Sequence, residues 1–210
     1  MTIYNKEVSA MREYMIKRVS GQPDWSCVPS LEVDNILWLP DANIRVSQQI
    51  CYDDTAIYVH QRAVEQHIRA EEKGPMAMVC FDSCLEFFFC PDPNSDRYFN
   101  FEWNPEGGLY LGLRSGQAFY VRLQPEDPVA LFDYHSRRTE DGWEIFYKIP
   151  LFFINLIFPE FKLASGTALR ANCFKCGDRT VQPHYLSWNP STCEYPNFHR
   201  VCDFGRMILE

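Results

Sequence analysis

The sequence predicts an all-β protein, an antiparallel β-sandwich of the jelly-roll or immunoglobulin-like kind with few short helices. Runs in which apolar and polar residues alternate recur at short intervals along the 210 residues, and turn-forming residues separate them. The 14 prolines and 10 glycines are scattered rather than clustered, which indicates many turns. Many short strands with evenly spread turns are typical of a sandwich or a barrel.

The predicted strands follow one another along the whole chain. They are residues 13–19, 31–39, 43–52, 55–64, 85–90, 98–103, 109–113, 118–123, 131–136, 142–149, 168–174, 185–188 and 205–209. Helical signals are weak: residues 62–73 are compatible with a short helix, and 150–155 with a helical turn after a strand. Because no repeat or linker interrupts the pattern, we predict one domain over 1–210, with 1–25 as an N-terminal extension or strand.

Composition narrows the classes of partner. A hydrophobic fraction of 46% allows a sizeable core, and the net charge of −8 argues against nucleic acids and anionic membranes as main partners. No apolar run reaches the ~18 residues of a membrane span, and the N-terminus lacks the order of a signal peptide. We therefore expect a cytoplasmic protein, or an exported one if a leader was removed. Its nine cysteines, odd in number and irregularly spaced, favour reduced thiols.

Residues 97–114 predict a β-hairpin with two unlike faces, since side chains alternate along a strand. Phe99, Phe101 and Trp103 point to one face of the first strand, and the turn at 104–108 contains a proline and two glycines. The other face carries hydrogen-bonding and aromatic groups. They are Tyr98, Asn100, Glu102, Asn104, Tyr110 and Arg114.

Other strands repeat this division of faces. The polar positions outside the core phase of their strands are Glu86, Asn100, Glu102, Arg114, Arg170 and Asn172. If these strands are neighbours, the six side chains form one polar patch. Carboxylates, amides and guanidinium groups beside aromatic rings suit a sugar, which has hydroxyls at its rim and C–H groups on its faces. The pattern therefore predicts a carbohydrate-binding surface.

Five motifs occur in an order that resembles the family 9 carbohydrate-binding modules. They are residues 82–89, 98–102, 140–150, 169–172 and 186–205, within a match from about Trp38 to the C-terminus. The resemblance implies a β-sandwich that binds sugars without cleaving them, with two aromatic rings clamping a terminal sugar above a glutamate and Asn/Arg groups. The fold is also similar to sandwich domains of the DOMON type. Characterised members are appended to xylanases, whereas we expect this chain to be free-standing.

The resemblance also implies roles for single residues. Glu86 matches the carboxylate that binds the sugar. The position six residues earlier, usually tryptophan, is Cys80, so either this clamp is missing or Phe81 or an aromatic residue from a loop replaces it. Phe198 matches the second clamp, with His199 beside it.

Two weaker patterns concern metals. Asp92, Asn94 and Asp96 could form a calcium site, as relatives of this fold have such sites. Cys173 and Cys176 form a CxxC pair, which could in principle bind a metal together with Cys80 and Cys84. Because the Cys80–Cys84 spacing beside a predicted strand suits a metal poorly, we interpret the CxxC pair as structural. No other cofactor is expected.

We predict non-catalytic binding of a mono- or oligosaccharide, in carbohydrate catabolism. One alternative is a glycoside hydrolase or its accessory subunit, with a catalytic pair drawn from Asp82, Glu86, Glu102 and Glu106. Another is a sandwich that binds a protein through its polar face. The sequence leaves the oligomeric state open.

Overall fold

The structure is a computed structural model that describes residues 10–116 and 119–210. It contains two short helices, α1 (Pro128–Phe132) and α2 (Leu151–Asn155), and three single 3₁₀ turns, at Trp25–Cys27, Val79–Phe81 and Val201–Asp203. The strands, in chain order, are β1 Glu13–Arg18, β2 Ser30–Glu32, β3 Asn35–Ile36, β4 Arg45–Tyr52, β5 Ala56–Val64, β6 Cys84–Cys90, β7 Arg97–Trp103, β8 Leu109–Ser115, β9 Phe119–Leu123, β10 His135–Arg138, β11 Gly142–Pro150, β12 Ala168–Cys176, β13 Tyr185–Ser187 and β14 Gly205–Leu209.

The strands form two sheets that β1 joins. The first sheet has the order β14-β12-β6-β7-β8-β9, and β13 pairs with the end of β12 and with β3. The second has the order β10-β11-β5-β4, with β2 on β4. Residues 13–16 of β1 pair with β14, and residues 17–18 pair with β4. The predicted β-sandwich is therefore confirmed.

The prediction of a purely antiparallel sheet needs one correction, because both pairings of β1 are parallel. The hairpins β4–β5, β6–β7, β7–β8 and β10–β11 are antiparallel, since a short connection reverses the chain direction. No such connection links β1 to β4 or β14. The chain passes through 19–44 before it returns as β4, so the direction of pairing is free.

The core lies between the two sheets. Phe99, Phe101 and Trp103, which the alternation of β7 places on one face, are fully buried there. From the second sheet, Tyr147 packs against Phe101 and Trp103, with ring centroids 6.2 and 5.7 Å apart. Burying each such side chain stabilises the fold by roughly 1.5–3 kcal/mol, so the aromatic face of the hairpin is a main contributor to the core.

Three local predictions were wrong. The predicted strand at 31–39 is divided into β2, which pairs with β4, and β3, which pairs with β13. Residues 62–64 continue β5 instead of starting a helix, because β5 is hydrogen-bonded on both sides, to β4 and to β11, as far as Val64. The predicted strand at 131–136 is divided between α1 and β10. The Asp127 carboxylate caps α1 by accepting from the amide of Ala130, and Pro128 suits the first helical turn. The helical turn at 150–155 is confirmed as α2.

The N-terminal prediction and one strand extend beyond the described residues. Residues 1–9 of the predicted extension and Ala118 of the predicted strand 118–123 lie outside them. Within the described ranges, no helix has the length and apolar character needed to cross a lipid bilayer.

The outer face of the first sheet is covered in part by the chain between β13 and β14. Phe88, Tyr98 and Phe174 point outward from β6, β7 and β12, and they pack against Val201 and Phe204 of that segment. The polar side chains on this face are consequently enclosed rather than spread over an open surface. What remains between the sheet and its covering segments is a pocket.

Candidate functional site

The pocket lies over β6, β7 and β8 and has a volume of about 240 Å³. Strand residues form its floor, and loop residues form its walls. The lining residues are Trp38, Met78, Cys80, Glu86, Glu102, Tyr110, Arg114, Cys176, Asp178, Tyr185, Pro196, Asn197, Phe198 and His199.

The floor is set by the register of three adjacent strands. Glu86 of β6 lies directly opposite Glu102 of β7, and Glu102 lies opposite Tyr110 of β8. Side chains that face one another across neighbouring strands share one side of the sheet. The outward phase predicted from alternation therefore brings both carboxyl groups to one place.

Both carboxyl groups are buried, with 2% of Glu86 and 6% of Glu102 exposed. Burial, followed by the neighbouring Glu102 carboxyl, raises the pKa of Glu86 well above its ordinary value. Burial also raises the pKa of Glu102 to about 7, although the amide of Asn100 and the charge of Arg114 oppose the shift. A protonated carboxyl both donates and accepts hydrogen bonds, which suits a partner made of hydroxyl groups.

Cationic side chains flank this pair. The guanidinium of Arg114 lies over the ring of Tyr120, 4.5 Å from its centroid, and Arg122 lies over Tyr110 at 4.3 Å. The two tyrosine rings stack in parallel, and the hydroxyl of Tyr110 donates to that of Tyr120. Stacking on a ring holds each guanidinium in one orientation, so Arg114 presents a fixed donor at the pocket.

One wall of the pocket is aromatic. The ring of Phe198 lies 5.4 Å from that of Trp38 and 6.0 Å from that of Tyr185. Phe198 also stacks on Phe174 at 4.2 Å, and the indole N–H of Trp38 donates to the carbonyl of Cys193 at 2.8 Å. These contacts immobilise the rings, which leaves a rigid apolar surface beside the polar floor.

A comparison with protein families decides what kind of protein has this pocket. The model of carbohydrate-binding family 9 matches residues 22–209. The chain belongs to carbohydrate-binding family 9. The resemblance inferred from the five motifs is confirmed, and the match begins before Trp38, so it includes the loop that carries this residue. A search of curated proteins found no match.

Solved structures show the same fold. One similar structure is a candidate carbohydrate-binding protein from Bacteroides uniformis ATCC 8492, with a TM-score of 0.82, 24% identity, and coverage of 96% of this chain and 100% of that one. A family 9 module from Caldicellulosiruptor kristjanssonii in complex with glucose has a TM-score of 0.67 and 13% identity, covering 95% and 96%. The same organism's module in complex with cellotriose has a TM-score of 0.65 and 14% identity, covering 95% and 94%.

Five of the eight site residues predicted from the sequence line the pocket of this family 9 protein. They are Glu86, Glu102, Arg114, Phe198 and His199. Asn100 is fully buried beside the pocket, and its amide donates to Glu102 Oε1 at 2.8 Å. Asn100 does not line the pocket itself, but its hydrogen bond holds the carboxyl group of Glu102 in place.

Arg170 and Asn172 were wrongly placed in the same patch. Asn172 is fully buried, and its amide donates to the carbonyls of Asn189 and Asp203, both at 3.0 Å. Arg170 donates to the carbonyl of Ser95 at 2.6 Å. The register explains the error, because Arg170 pairs with Cys90, four residues beyond Glu86 on β6, or about 13 Å along the strand. Both residues instead secure the segments around the sheet.

The Cys80 position is also clarified by the structure. Cys80 lines the pocket, as its place in the motif implies, whereas Phe81 does not, and the guanidinium of Arg179 covers its ring at 3.7 Å. Of the two replacements expected for the clamp, Phe81 lies outside the pocket, whereas an aromatic residue from a loop, Trp38, lines it. Sequence reasoning missed Trp38, Tyr185 and Asp178 because each lies in or beside a loop, outside the motifs used.

The spacing of the cysteines in the sequence does not show which of them lie close together in the structure. Cys173 faces the core, while Cys176 faces the pocket, so the two members of the CxxC pair lie on opposite sides of β12. Cys176 instead lies directly opposite Cys84 where β12 pairs with β6, and the Sγ atom of Cys176 lies 3.0 Å from Glu86 Oε1. Every described cysteine is a free thiol.

The calcium site suggested at Asp92, Asn94 and Asp96 stays a prediction. Asp92 Oδ1 accepts from the amide of Asn94 at 2.9 Å, and Asp96 Oδ1 accepts from the hydroxyl of Ser115 at 2.8 Å. The two carboxylates thus have separate partners, one in this loop and one on β8, and an ion would have to compete with both.

Proposed function

We propose that the pocket binds a saccharide without cleaving it. The observation that carries the proposal is the meeting of Glu86, Glu102 and Arg114 with the aromatic wall of Trp38 and Phe198 in one small pocket. Hydrogen-bonding groups on the floor suit hydroxyls, and the rings suit the C–H face of a sugar. Membership of carbohydrate-binding family 9 supports the same function.

The size of the pocket suits a short ligand. Its volume of about 240 Å³ is below the ~300–1,000 Å³ of sites that enclose drug-sized molecules. One sugar ring, free or at the end of a short oligosaccharide, fits this description better than the middle of a long polysaccharide. Since modules of the same family were solved with glucose and with cellotriose, we infer these as the first ligands to test.

The arrangement of carboxyl groups favours binding over hydrolysis. Glycosidase carboxyl groups flank the bond that they cleave, with about 5–9.5 Å between them. Glu86 and Glu102 arise from directly opposite positions on adjacent strands and share one floor. Both would contact the same side of a sugar, which supports a role in recognition.

The proposal is tested by calorimetric titration of the protein with glucose, cellotriose and a panel of other mono- and disaccharides. We expect saturable binding that Glu86→Gln weakens by about tenfold or more, the equivalent of ~1.4 kcal/mol. Glu144→Gln is the matched control, because Glu144 is 4% exposed but belongs to the second sheet. Its affinity should equal that of the unaltered protein.

Two outcomes would overturn the proposal. Flat titrations with every sugar would favour a sandwich that binds another protein. Release of aglycone from aryl glycosides, abolished by Glu86→Gln, would favour a glycoside hydrolase. A role in carbohydrate catabolism, association with a glycoside hydrolase and a cytoplasmic location stay predictions from the sequence.

A further inference from the structure

Three side chains that commonly bind metals converge at the floor of the pocket. The ligand atoms of Cys84, Glu86 and Cys176 all lie within 4.8 Å of one another. Cys84 and Glu86 are two residues apart on β6 and so share one face, and the register with β12 places Cys176 directly opposite Cys84. Among residues 10–116 and 119–210, these three form the one group of at least three His, Cys, Asp or Glu residues whose ligand atoms lie this close together.

Burial makes the cluster unlike a chance group of surface residues. Cys84 is fully buried, and 2% of Glu86 and of Cys176 is exposed. The contacts of Cys176 Sγ are Glu86 Oε1 at 3.0 Å and the carbonyl of Cys80 at 3.6 Å. Without a metal, burial favours the neutral thiols and the protonated carboxyl, because their charged forms are costly in a buried site unless a cation compensates the charge. A metal ion would supply that charge at the point where the three groups meet.

We propose that Cys84, Glu86 and Cys176 bind one zinc ion, with its remaining coordination position facing the pocket. Two sulfurs and one oxygen match the ligands of zinc, with Zn–S near 2.3 Å and Zn–O near 2.0–2.2 Å. Calcium and magnesium take six or more oxygen ligands, so this set excludes them. Glu86 and Cys176 line the pocket while Cys84 lies behind them, and the open side of the site is therefore the pocket side.

The proposed binding is an exchange of protons for a metal ion. Both cysteines bind as thiolates and Glu86 binds through one carboxylate oxygen, and each of the three groups releases its proton to solvent. The second oxygen of Glu86 stays free for another partner. The zinc site does not depend on saccharide binding, because its ligands belong to the protein alone.

Zinc binding is measured on the full chain, reduced with a phosphine and freed of metal, by titration against a chromophoric zinc chelator. We expect one equivalent of zinc bound. Loss of a residue that only supports a metal ligand typically weakens metal binding by about 10- to 100-fold. Because Cys84→Ser and Cys176→Ser each remove a ligand itself, each should weaken zinc binding by more than this. Cys90→Ser is the matched control, since Cys90 is also fully buried on β6 but lies six residues from Cys84.

A second measurement does not depend on whether the serine variants fold. X-ray absorption at the zinc edge of the unaltered protein should show two sulfur ligands near 2.3 Å and lighter ligands near 2.0–2.2 Å. Absence of zinc uptake would overturn the proposal, as would a coordination shell without sulfur. Full affinity in the double variant Cys84→Ser/Cys176→Ser would also overturn it, by assigning the zinc to exposed cysteines such as Cys27 and Cys202. No sugar is present, so these results leave the saccharide proposal untouched.

Discussion

Asn100 fills the space above Gly112, its partner on the adjacent strand. The two residues are directly opposite each other on β7 and β8, and a Cβ atom at position 112 would collide with Oδ1 of Asn100. The amide of Asn100 in turn donates to Glu102 at 2.8 Å. The absence of a side chain at position 112 therefore determines where a carboxyl group of the pocket floor lies.

Gly112→Ala should destabilise the protein and weaken saccharide binding. Inserting a methyl group into a packed site typically costs about 1–3 kcal/mol, and the displaced Asn100 could no longer hold Glu102. Denaturant unfolding and calorimetric titration measure the two effects. In the double variant Gly112→Ala/Asn100→Ala the collision is absent, so the two penalties should not add. Additive losses of stability would show that the two residues act independently.

Strand alternation made the division of faces predictable, since period two is a local property of the chain. It placed Phe99 and Trp103 in the core and Glu86 and Glu102 on the opposite face, as the structure has them. Strand alternation does not show which residues of neighbouring strands lie side by side, because this depends on pairing between distant segments. Arg170 was misplaced for this reason: its face was predictable, whereas its level beside Cys90 was not.

The aromatic wall could not be predicted from local pattern either. Trp38 has a positive φ of 57° in the loop after β3, and it reaches Phe198 across 160 residues of sequence through tertiary packing. The helix at 62–73 was wrongly predicted for a different reason. Its polar residues permit a helix, but hydrogen bonding of β5 on both sides outweighs local preference.

Asp82→Ala should lower stability strongly, because this fully buried carboxylate secures the segment before β6. It accepts from the amides of Glu71 and Glu72 at 3.0 and 2.8 Å, from Asn104 Nδ2 at 2.8 Å, and from Arg69. Removing one partner of a buried, charged network costs about 3–5 kcal/mol. Thermal unfolding measures the loss, and hydrogen exchange should show reduced protection at residues 69–72.

Asp54→Ala is the control for this variant. Asp54 also pairs with an arginine, Arg18, at 2.6 Å, but 77% of the aspartate side chain is exposed. Exposed pairs contribute about 0–1 kcal/mol, so the midpoint should hardly change. Equal losses for the two aspartates would contradict the anchoring role of Asp82.

His199 should make the protein less stable in acid. Burial and the charge of Arg114 lower the pKa of His199 to about 3, and its Nδ1 lies 3.1 Å from the hydroxyl of Tyr98. Because the folded-state pKa lies below that of the unfolded chain, ~6.5, the unfolded state takes up its proton first. The stabilisation is complete above pH ~6.5 and is lost as the pH falls towards 3.

Thermal unfolding between about pH 7 and about pH 4 tests this linkage. The midpoint of the unaltered protein should fall by about 2–4 °C for each kcal/mol lost, and His199→Gln should fall less over the same range. His135→Gln removes a histidine that is 72% exposed and serves as the control. Identical pH profiles for the His199 variant and the unaltered protein would show that His199 is not held neutral by the fold.

Trp38→Ala should weaken saccharide binding by about tenfold while leaving the polar floor in place. A stacked aromatic ring contributes roughly 0.5–1.5 kcal/mol beyond its buried area, and 1.4 kcal/mol corresponds to a factor of ten. Trp25→Ala is the matched control, because Trp25 packs on His60 and Phe146 of the second sheet, away from the pocket. Calorimetry on both variants separates loss of stacking from loss of a tryptophan. An affinity unchanged by Trp38→Ala but reduced by Glu86→Gln would mean that the floor alone recognises the sugar, with Trp38 serving only to hold Phe198.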